Sequence, residues 1–382
     1  MPSRSLAERI ARAPIPHDAD AGADAAAAFA DQPAAVRELL AGTAGCSGYL
    51  GGLIRREAEW LRGALAEAPE AGMAAILDAI PADAPDPGPA LRLAKRRAAL
   101  LVALADLGGA WYLDAVTGAL TDLADRAVQA ALTAALAAEI ARRRLPGCKP
   151  EDAAGGAGMF VLAMGKMGAN ELNYSSDIDL IALFDESRHD PADWGELRRG
   201  FIRAAQRMVK LLSELTDEGY VFRTDLRLRP DPSVTPVCIA TDPAERYYES
   251  LGRTWERAAY IKARPCAGAI DAGWVFLERL RPFVWRRHLD YAAIEDAHAM
   301  RLRIREHKGL TGPIRAEGHD IKLGQGGIRE IEFFTQTRQL IVGGRDASLR
   351  SRRTVDALDA LAGRGWVEPG VREALAAAYV EH

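Results

Sequence analysis

The chain has 382 residues, 49% hydrophobic and 27% charged, which excludes a disordered or fibrous protein and predicts two or three domains at ~150 residues each. The formal net charge is −4, so no global field draws the chain to nucleic acid or to an anionic membrane, and any anion site must be local. Cys46, Cys148, Cys238 and Cys266 stand far apart with no CxxC pair, which argues against a disulfide scaffold or thiolate zinc site and fits a reducing, cytoplasmic setting.

Residues 1–150 are Ala-rich and predict a helical N-terminal region. Long helices are expected over Leu91–Leu120 and Leu123–Arg144, with Gly108-Gly109 interrupting the first. Pro81, Pro85, Pro87 and Pro89 break the pattern before them. Ala-rich helices are packing material, and no chemistry is read there. The most apolar run, 98–105, is far short of the ~20 residues a spanning helix needs. The N-terminus carries Asp and Ala where an export signal would carry an apolar core.

A linker at 146–158 opens a different texture. Strands are predicted at Met159–Met164, Asp177–Phe184, Tyr220–Arg229 and Val237–Ala240, with an amphipathic helix over Trp194–Leu215. This is an α+β order, and residues 155–245 form the expected catalytic core. Residues 246–382 predict a helical domain with helices at Ala244–Arg264, Gly273–Arg287, Ala292–His307, Ile328–Val342, Thr354–Ala362 and Gly370–Val380. The stretch Gly309–Gly327 reads as a loop with one short strand at Asp320–Leu323. The last helix meets the terminus without a stop signal, so a truncated longer chain is expected.

The strongest chemical signal is Gly165-Lys166-Met167-Gly168 followed by Ser175-Ser176-Asp177-Ile178-Asp179-Leu180. On a strand, Asp177 and Asp179 share a face while Ile178 and Leu180 turn to the core. Two carboxylates so placed repel each other, and a hard divalent cation, Mg²⁺ or Mn²⁺, relieves the repulsion. A glycine after a strand lets backbone N–H groups approach a phosphate. In Val221–Arg229 the alternation sets Arg223, Asp225, Arg227 and Arg229 on one face. Asp225 would complete a three-carboxylate metal site, and the guanidinium forks would meet phosphate oxygens. The plainer reading is an edge strand with a surface Asp–Arg ladder. The run Arg301, Arg303, Arg305, His307, Lys308 is read as a solvated helix face.

A Gly turn, a DxD strand and a later Asp resemble the nucleotidyltransferase superfamily. The segments MGKMGANELNYSSDIDL (164–180), FRTDLRLRP (222–230), GRTWERAAYIKARP (252–265) and DIKLGQGGIREIEF (320–333) narrow this. They resemble the bifunctional glutamine synthetase adenylyltransferase/adenylyl-removing enzymes, over about 159–344. A helical lead-in before a single DxD core is similar to the first, adenylyl-removing half. The resemblance implies a nucleotidyltransferase-type mixed sheet and metal-dependent phosphorolysis of tyrosyl-AMP on glutamine synthetase, with phosphate entering and ADP leaving. Asp177, Asp179 and Asp225 would hold the metal. Gly165, Lys166 and Ser176 would contact the nucleotide phosphate, and Arg227 and Arg229 phosphate oxygens. Lys262 or Arg264 would touch phosphate or only support the helix. The Gly-rich turn at 324–327 is expected to dock structurally, because Glu330 and Glu332 in the first helical turn oppose an anion. Glutamine synthetase is the implied partner, a PII-type signalling protein a further one through the full-length enzyme, and neither nucleic acid nor membrane is expected. The rival readings are the same fold running forward as an ATP-dependent adenylyltransferase, and a non-catalytic domain that binds a nucleotide or the partner enzyme.

Overall fold

A computed structural model describes residues 4–287 and 317–381. The predicted helix Ala292–His307 and the basic run 301–308 lie outside the described residues. The first eight helices are α1 (Leu6–Arg9), α2 (Ala19–Ala28), α3 (Ala34–Cys46), α4 (Gly48–Arg56), α5 (Ala58–Ala66), α6 (Pro69–Asp78), α7 (Gly88–Leu107) and α8 (Leu113–Ala141). After them come α9 (Gly165–Gly168), α10 (Trp194–Ser213), α11 (Thr241–Ser250), α12 (Thr254–Ile261), α13 (Ile270–Arg279) and α14 (Arg281–Val284). The last described helices are α15 (Ile328–Val342), α16 (Thr354–Gly363) and α17 (Pro369–Glu381). No helix among the described residues is long and apolar enough to cross a membrane.

The described residues divide into two units. The first comprises residues 4–157, 170–177 and 199–224, the second 158–169, 178–198, 225–287 and 317–381. In the first unit α7 stops at the glycine pair, where the Gly108 N–H donates to the Leu104 carbonyl and Gly109 turns the chain left-handed at φ 72°. The break expected near residue 121 does not occur, and α8 runs unbroken for 29 residues. Thr121 does not compete with the helix, because its hydroxyl donates to the Thr117 carbonyl one turn back at 2.7 Å.

The second unit is organised on a mixed sheet. Its strands are β1 (Met159–Ala163), β2 (Ile178–Phe184), β3 (Thr224–Asp225), β4 (Cys238–Ala240) and β5 (Arg264–Gly268), in the order β3-β2-β1-β5. β1 runs antiparallel to both β2 and β5, and β4 runs parallel to β2. A strand has two edges, and β1 occupies one along Leu180–Phe184, so β3 and β4 divide the other. The α+β expectation holds.

Two expectations change here. The helix predicted over 244–264 is two helices and a strand. At Gly252 a Cβ would lie 2.4 Å from the Phe283 ring and 2.5 Å from the Tyr248 carbonyl, so the chain turns there. The Glu256 carboxylate accepts from the Arg253 N–H at 2.7 Å and starts α12. β5, unforeseen, follows at once. Gly273 lets α13 close on the sheet, since a Cβ there would meet Pro265 at 2.7 Å and Phe160 at 3.1 Å. The predicted strand at Asp320–Leu323 is instead a turn. The Asp320 carboxylate accepts the Lys322 and Leu323 N–H groups, which removes them from any ladder.

A buried ion pair ties the C-terminal helices to this unit. Lys262, only 3% exposed, donates to Glu332 of α15 at 2.5 Å and to the Thr354 hydroxyl of α16 at 3.2 Å. Tyr379 of α17 lies 3.4 Å from the same Glu332 oxygen. Burial pushes the Glu332 carboxyl up, but Lys262 and Lys166 outweigh it and hold it below its usual range. Removing one partner leaves the other charge buried and uncompensated. Lys262→Met is therefore expected to cost about 3 kcal/mol, and Lys262→Met with Glu332→Leu to recover most of it. Denaturant midpoints of the two single variants and the double variant check this. Equal loss in the double variant would show that packing, and not charge, holds the helices.

Candidate active site

The glycine turn is built from the end of β1. The Met164 N–H donates to the Asp179 carbonyl at 2.9 Å, so the turn starts pinned to β2. Gly165 is left-handed at φ 54°, and a Cβ there would lie 2.8 Å from Asp179 Oδ2. Only glycine leaves that carboxylate its place. At Gly168 a Cβ would lie 2.1 Å from the Lys262 carbonyl and 2.6 Å from the Ala163 carbonyl. Arg264 Nη2 donates to the Met167 carbonyl at 3.1 Å. The segment 262–264 thus clamps the turn from outside. Lys166 is half-buried, and its charge acts on Glu332.

The two DxD carboxylates do not share a strand face as expected. β2 begins at Ile178, so Asp177 precedes the ladder. Asp179 is the one position of β2 that is not fully buried. The loop before it is bent at Ser175, with φ 51°. Arg223 holds that loop in the first unit. Its Nε donates to Asp177 Oδ1 and its Nη2 to the Ser175 carbonyl, both at 2.5 Å, and its Nη1 donates to the Tyr220 hydroxyl at 2.8 Å. Ser176 is half-buried beside Asp177, and its N–H donates to the Asn173 carbonyl at 3.3 Å.

The strand predicted over 220–229 shrinks to Thr224–Asp225, and the alternation argument fails with it. Asp225 Oδ1 accepts the Arg227 N–H at 2.8 Å, a local turn that competes with the ladder. The Arg227 guanidinium folds back on the same carboxylate, with Nη2 2.5 Å from Oδ2. These bonds outweigh burial and hold the Asp225 carboxyl below its usual range. Arg227 is 83% exposed. Arg229, expected at a phosphate, is spent on the loop instead. It donates to the carbonyls of Leu226 and Pro232 at 2.9 Å each and of Thr235 at 3.1 Å. Lys262 is likewise corrected, because its ammonium is buried in the pair with Glu332. The docking role expected for the 320–333 segment agrees with that pair.

The N-terminal helices, read as packing alone, carry a basic face that was missed. Arg92, Lys95 and Arg96 stand at i, i+3 and i+4 on α7, hence on one face. Arg92 donates to the Gly219 carbonyl at 2.9 Å and the Glu214 carbonyl at 3.2 Å, and Arg96 pairs with Glu57 and Glu218. Lys95 Nζ sits 4.0 Å over the Phe222 ring. Burial first, then the Arg223 charge, lowers its pKa to about 8. The signal in the sequence was the helical spacing of LRLAKRR.

Among the described residues no group of three or more His, Cys, Asp or Glu stands ready to hold a metal ion. Asp177 and Asp225 each engage an arginine, which supplies the positive charge a cation would bring. The donor chemistry still fits a hard divalent ion. Asp177, Asp179 and Asp225 offer only carboxylate oxygens, and Gly165 keeps the Asp179 oxygen clear of a Cβ.

Comparison with known proteins bears on this arrangement. Residues 40–279 match the family described as glutamate-ammonia ligase adenylyltransferase, and residues 298–382 match the GlnD PII-uridylyltransferase family. A protein of Xanthobacter autotrophicus named bifunctional glutamine synthetase adenylyltransferase/adenylyl-removing enzyme is 50% identical over 352 residues, 90% of this chain and 35% of its own length. Proteins of the same name are 48% identical in Bradyrhizobium sp. BTAi1, over 91% of this chain and 36% of theirs, and in Rhodopseudomonas palustris TIE-1, over 96% and 37%. The chain thus spans little more than a third of the length of these relatives. Because the first family match covers more than half of the chain, and covers the glycine turn, both DxD carboxylates and Asp225 with it, the protein belongs to the glutamate-ammonia ligase adenylyltransferase family.

Proposed function

We propose that this chain removes AMP from a tyrosine of adenylylated glutamine synthetase by phosphorolysis. An orthophosphate oxygen attacks the α-phosphorus, the bond from phosphorus to the tyrosine oxygen breaks, and the phenolate leaves and takes a proton from solvent. The product is ADP. The observation that carries the reading is the Gly165 turn seated against the Asp179 carboxylate, a nucleotidyltransferase feature that a Cβ would destroy. The names of the relatives supply the substrate. The match at 298–382 makes a PII-type signalling protein a candidate regulator.

Asp177, Asp179 and Asp225 would hold Mg²⁺ or Mn²⁺, which when bound neutralises phosphoryl oxygens. Gly165, Lys166 and Ser176 border the nucleotide phosphate. Arg227 is exposed where it pairs with Asp225, so its fork can turn to a phosphate oxygen. Arg223 also pairs with Asp177, but its bonds to the Tyr220 hydroxyl and the Ser175 carbonyl keep it in place when that carboxylate turns away. No protein base is needed, since orthophosphate is ionised at neutral pH.

Incubating the chain with adenylylated glutamine synthetase, Mg²⁺ and phosphate should release ADP. If ATP instead drives AMP onto unmodified glutamine synthetase and ADP never forms, the reaction runs forward, as the other half of the relatives' name allows. Asp179→Asn should abolish turnover with the fold retained. Asp177→Asn should do the same and cost only about 0–1 kcal/mol, because its arginine partner is half exposed.

Arg227→Ala should slow ADP formation roughly 10²-fold, and Arg227→Lys should fall between, keeping charge without the fork. The same variant tests the electrostatics. Asp225 has a folded pKa below its unfolded value, so its pair contributes stability that is present above about pH 4 and fades as pH falls through the folded pKa. Arg227→Ala should raise the Asp225 titration midpoint, read from its carboxyl carbon by NMR. An unmoved midpoint would remove Arg227 from the site.

A further inference from the structure

The basic face of α7 is unevenly satisfied. Arg92 and Arg96 reach carbonyl and carboxylate oxygens. Between them Lys95 has no oxygen acceptor among the described residues, and its ammonium lies on the Phe222 ring. A ring face offsets part of the cost of desolvating an ammonium, but not all of it. The neighbour of Phe222 is Arg223, whose guanidinium grips Asp177 and the Ser175 carbonyl. Lys95 on the Phe222 ring and Arg223 on the loop that carries Ser176 and Asp177 thus lie in one unit, near enough for the Arg223 charge to act on the Lys95 ammonium. Like charges so placed are stabilised by a shared anion. The depressed ammonium pKa agrees with an amine that lacks one.

The geometry points to Lys95 as a binding residue for a phosphate-type oxyanion, supplied by the helical N-terminal region and shared with Arg223. The pair acts as follows. While Asp177 holds Arg223, the two charges cancel and Lys95 stands alone. When Asp177 turns to other ligands, Arg223 keeps its place through the Tyr220 hydroxyl and the Ser175 carbonyl. Its free Nε and the Lys95 ammonium then address the same oxyanion. This rests on the phosphorolytic reading for its catalytic meaning, since the oxyanion is either the incoming orthophosphate or the phosphoryl group of AMP. The plainer role for Lys95 is to cover Phe222, which a methionine would do as well.

The test is calorimetric titration of the whole chain with inorganic phosphate and, separately, with AMP. Wild type, Lys95→Met and Lys95→Arg are compared, with Lys95→Gln as a second neutral variant should the first fail to fold. Lys95→Met should weaken one of the two ligands at least about tenfold, and Lys95→Arg should keep it within about threefold. Loss confined to inorganic phosphate assigns Lys95 to the attacking anion, and the half-saturating phosphate for ADP formation should then rise with kcat little changed. Loss confined to AMP assigns it to the transferred group, with the phosphate dependence unmoved. Unchanged affinity for both ligands in the folded neutral variants overturns the inference, as does a wild-type chain that binds neither at millimolar concentration. If the wild type binds phosphate through Lys95 but never forms ADP, the phosphorolytic reading fails and the anion site stands.

Discussion

The hydrogen bond from the Met164 N–H to the Asp179 carbonyl is the constraint on which the site depends. It carries the β1–β2 ladder one residue past β1, so that the glycine turn begins at a fixed place opposite the DxD segment. Everything nearby is then close-packed backbone. Gly165 faces a carboxylate, and Gly168 is wedged between the carbonyls of Ala163 and Lys262. Neither position has room for a side chain, and the turn therefore has little freedom to move without moving the sheet.

The acidic residues Asp177 and Asp225 are held in pairs that can be exchanged. Asp177 is held by Arg223 and Asp225 by Arg227, and three of these four side chains are at least half exposed. Exposed pairs are worth little to stability, so parting them costs little. Lys262 and Glu332 are the opposite case. Their pair is buried and reinforced by Thr354 and Tyr379, so it is expensive to break and suits a joint between the sheet and the C-terminal helices. Acid–base pairs thus stand exposed at the candidate site and sealed in the interior, and burial decides which can be exchanged. Lys262 links the two, because its side chain reaches Glu332 while its carbonyl abuts Gly168.

Much of this was legible in advance. Apolar runs, bounded by glycine for β1 and by aspartate for β2, located both strands within a residue, since a strand buried on both faces cannot be mistaken for a loop. Helix α15 was read to the residue, and α16 and α17 to within a residue or so at each end. The DxD segment and the glycine turn announced themselves because their chemistry demands those residue types at short spacing. The 220–229 segment misled, because a period of two is a weak promise when Asp225 can accept its neighbour's N–H and close a turn. β5 was hidden inside a helical reading, since Arg264–Gly268 contains a proline and a glycine and pairs only with a strand a hundred residues earlier.

The sequence by itself determined the class of the fold, the two central strands β1 and β2, and the residue types at the candidate site. It could do so because periodicity, glycine conformation and carboxylate chemistry are local. Only the tertiary structure decided which charges meet. Arg229 closes a loop, Lys262 is sealed against Glu332, and Lys95 from an Ala-rich helix lies over the Phe222 ring. Those partners are set by pairings across tens to more than a hundred residues, or by a turn that replaces a strand. No pattern of spacing within one segment encodes which partner burial will bring.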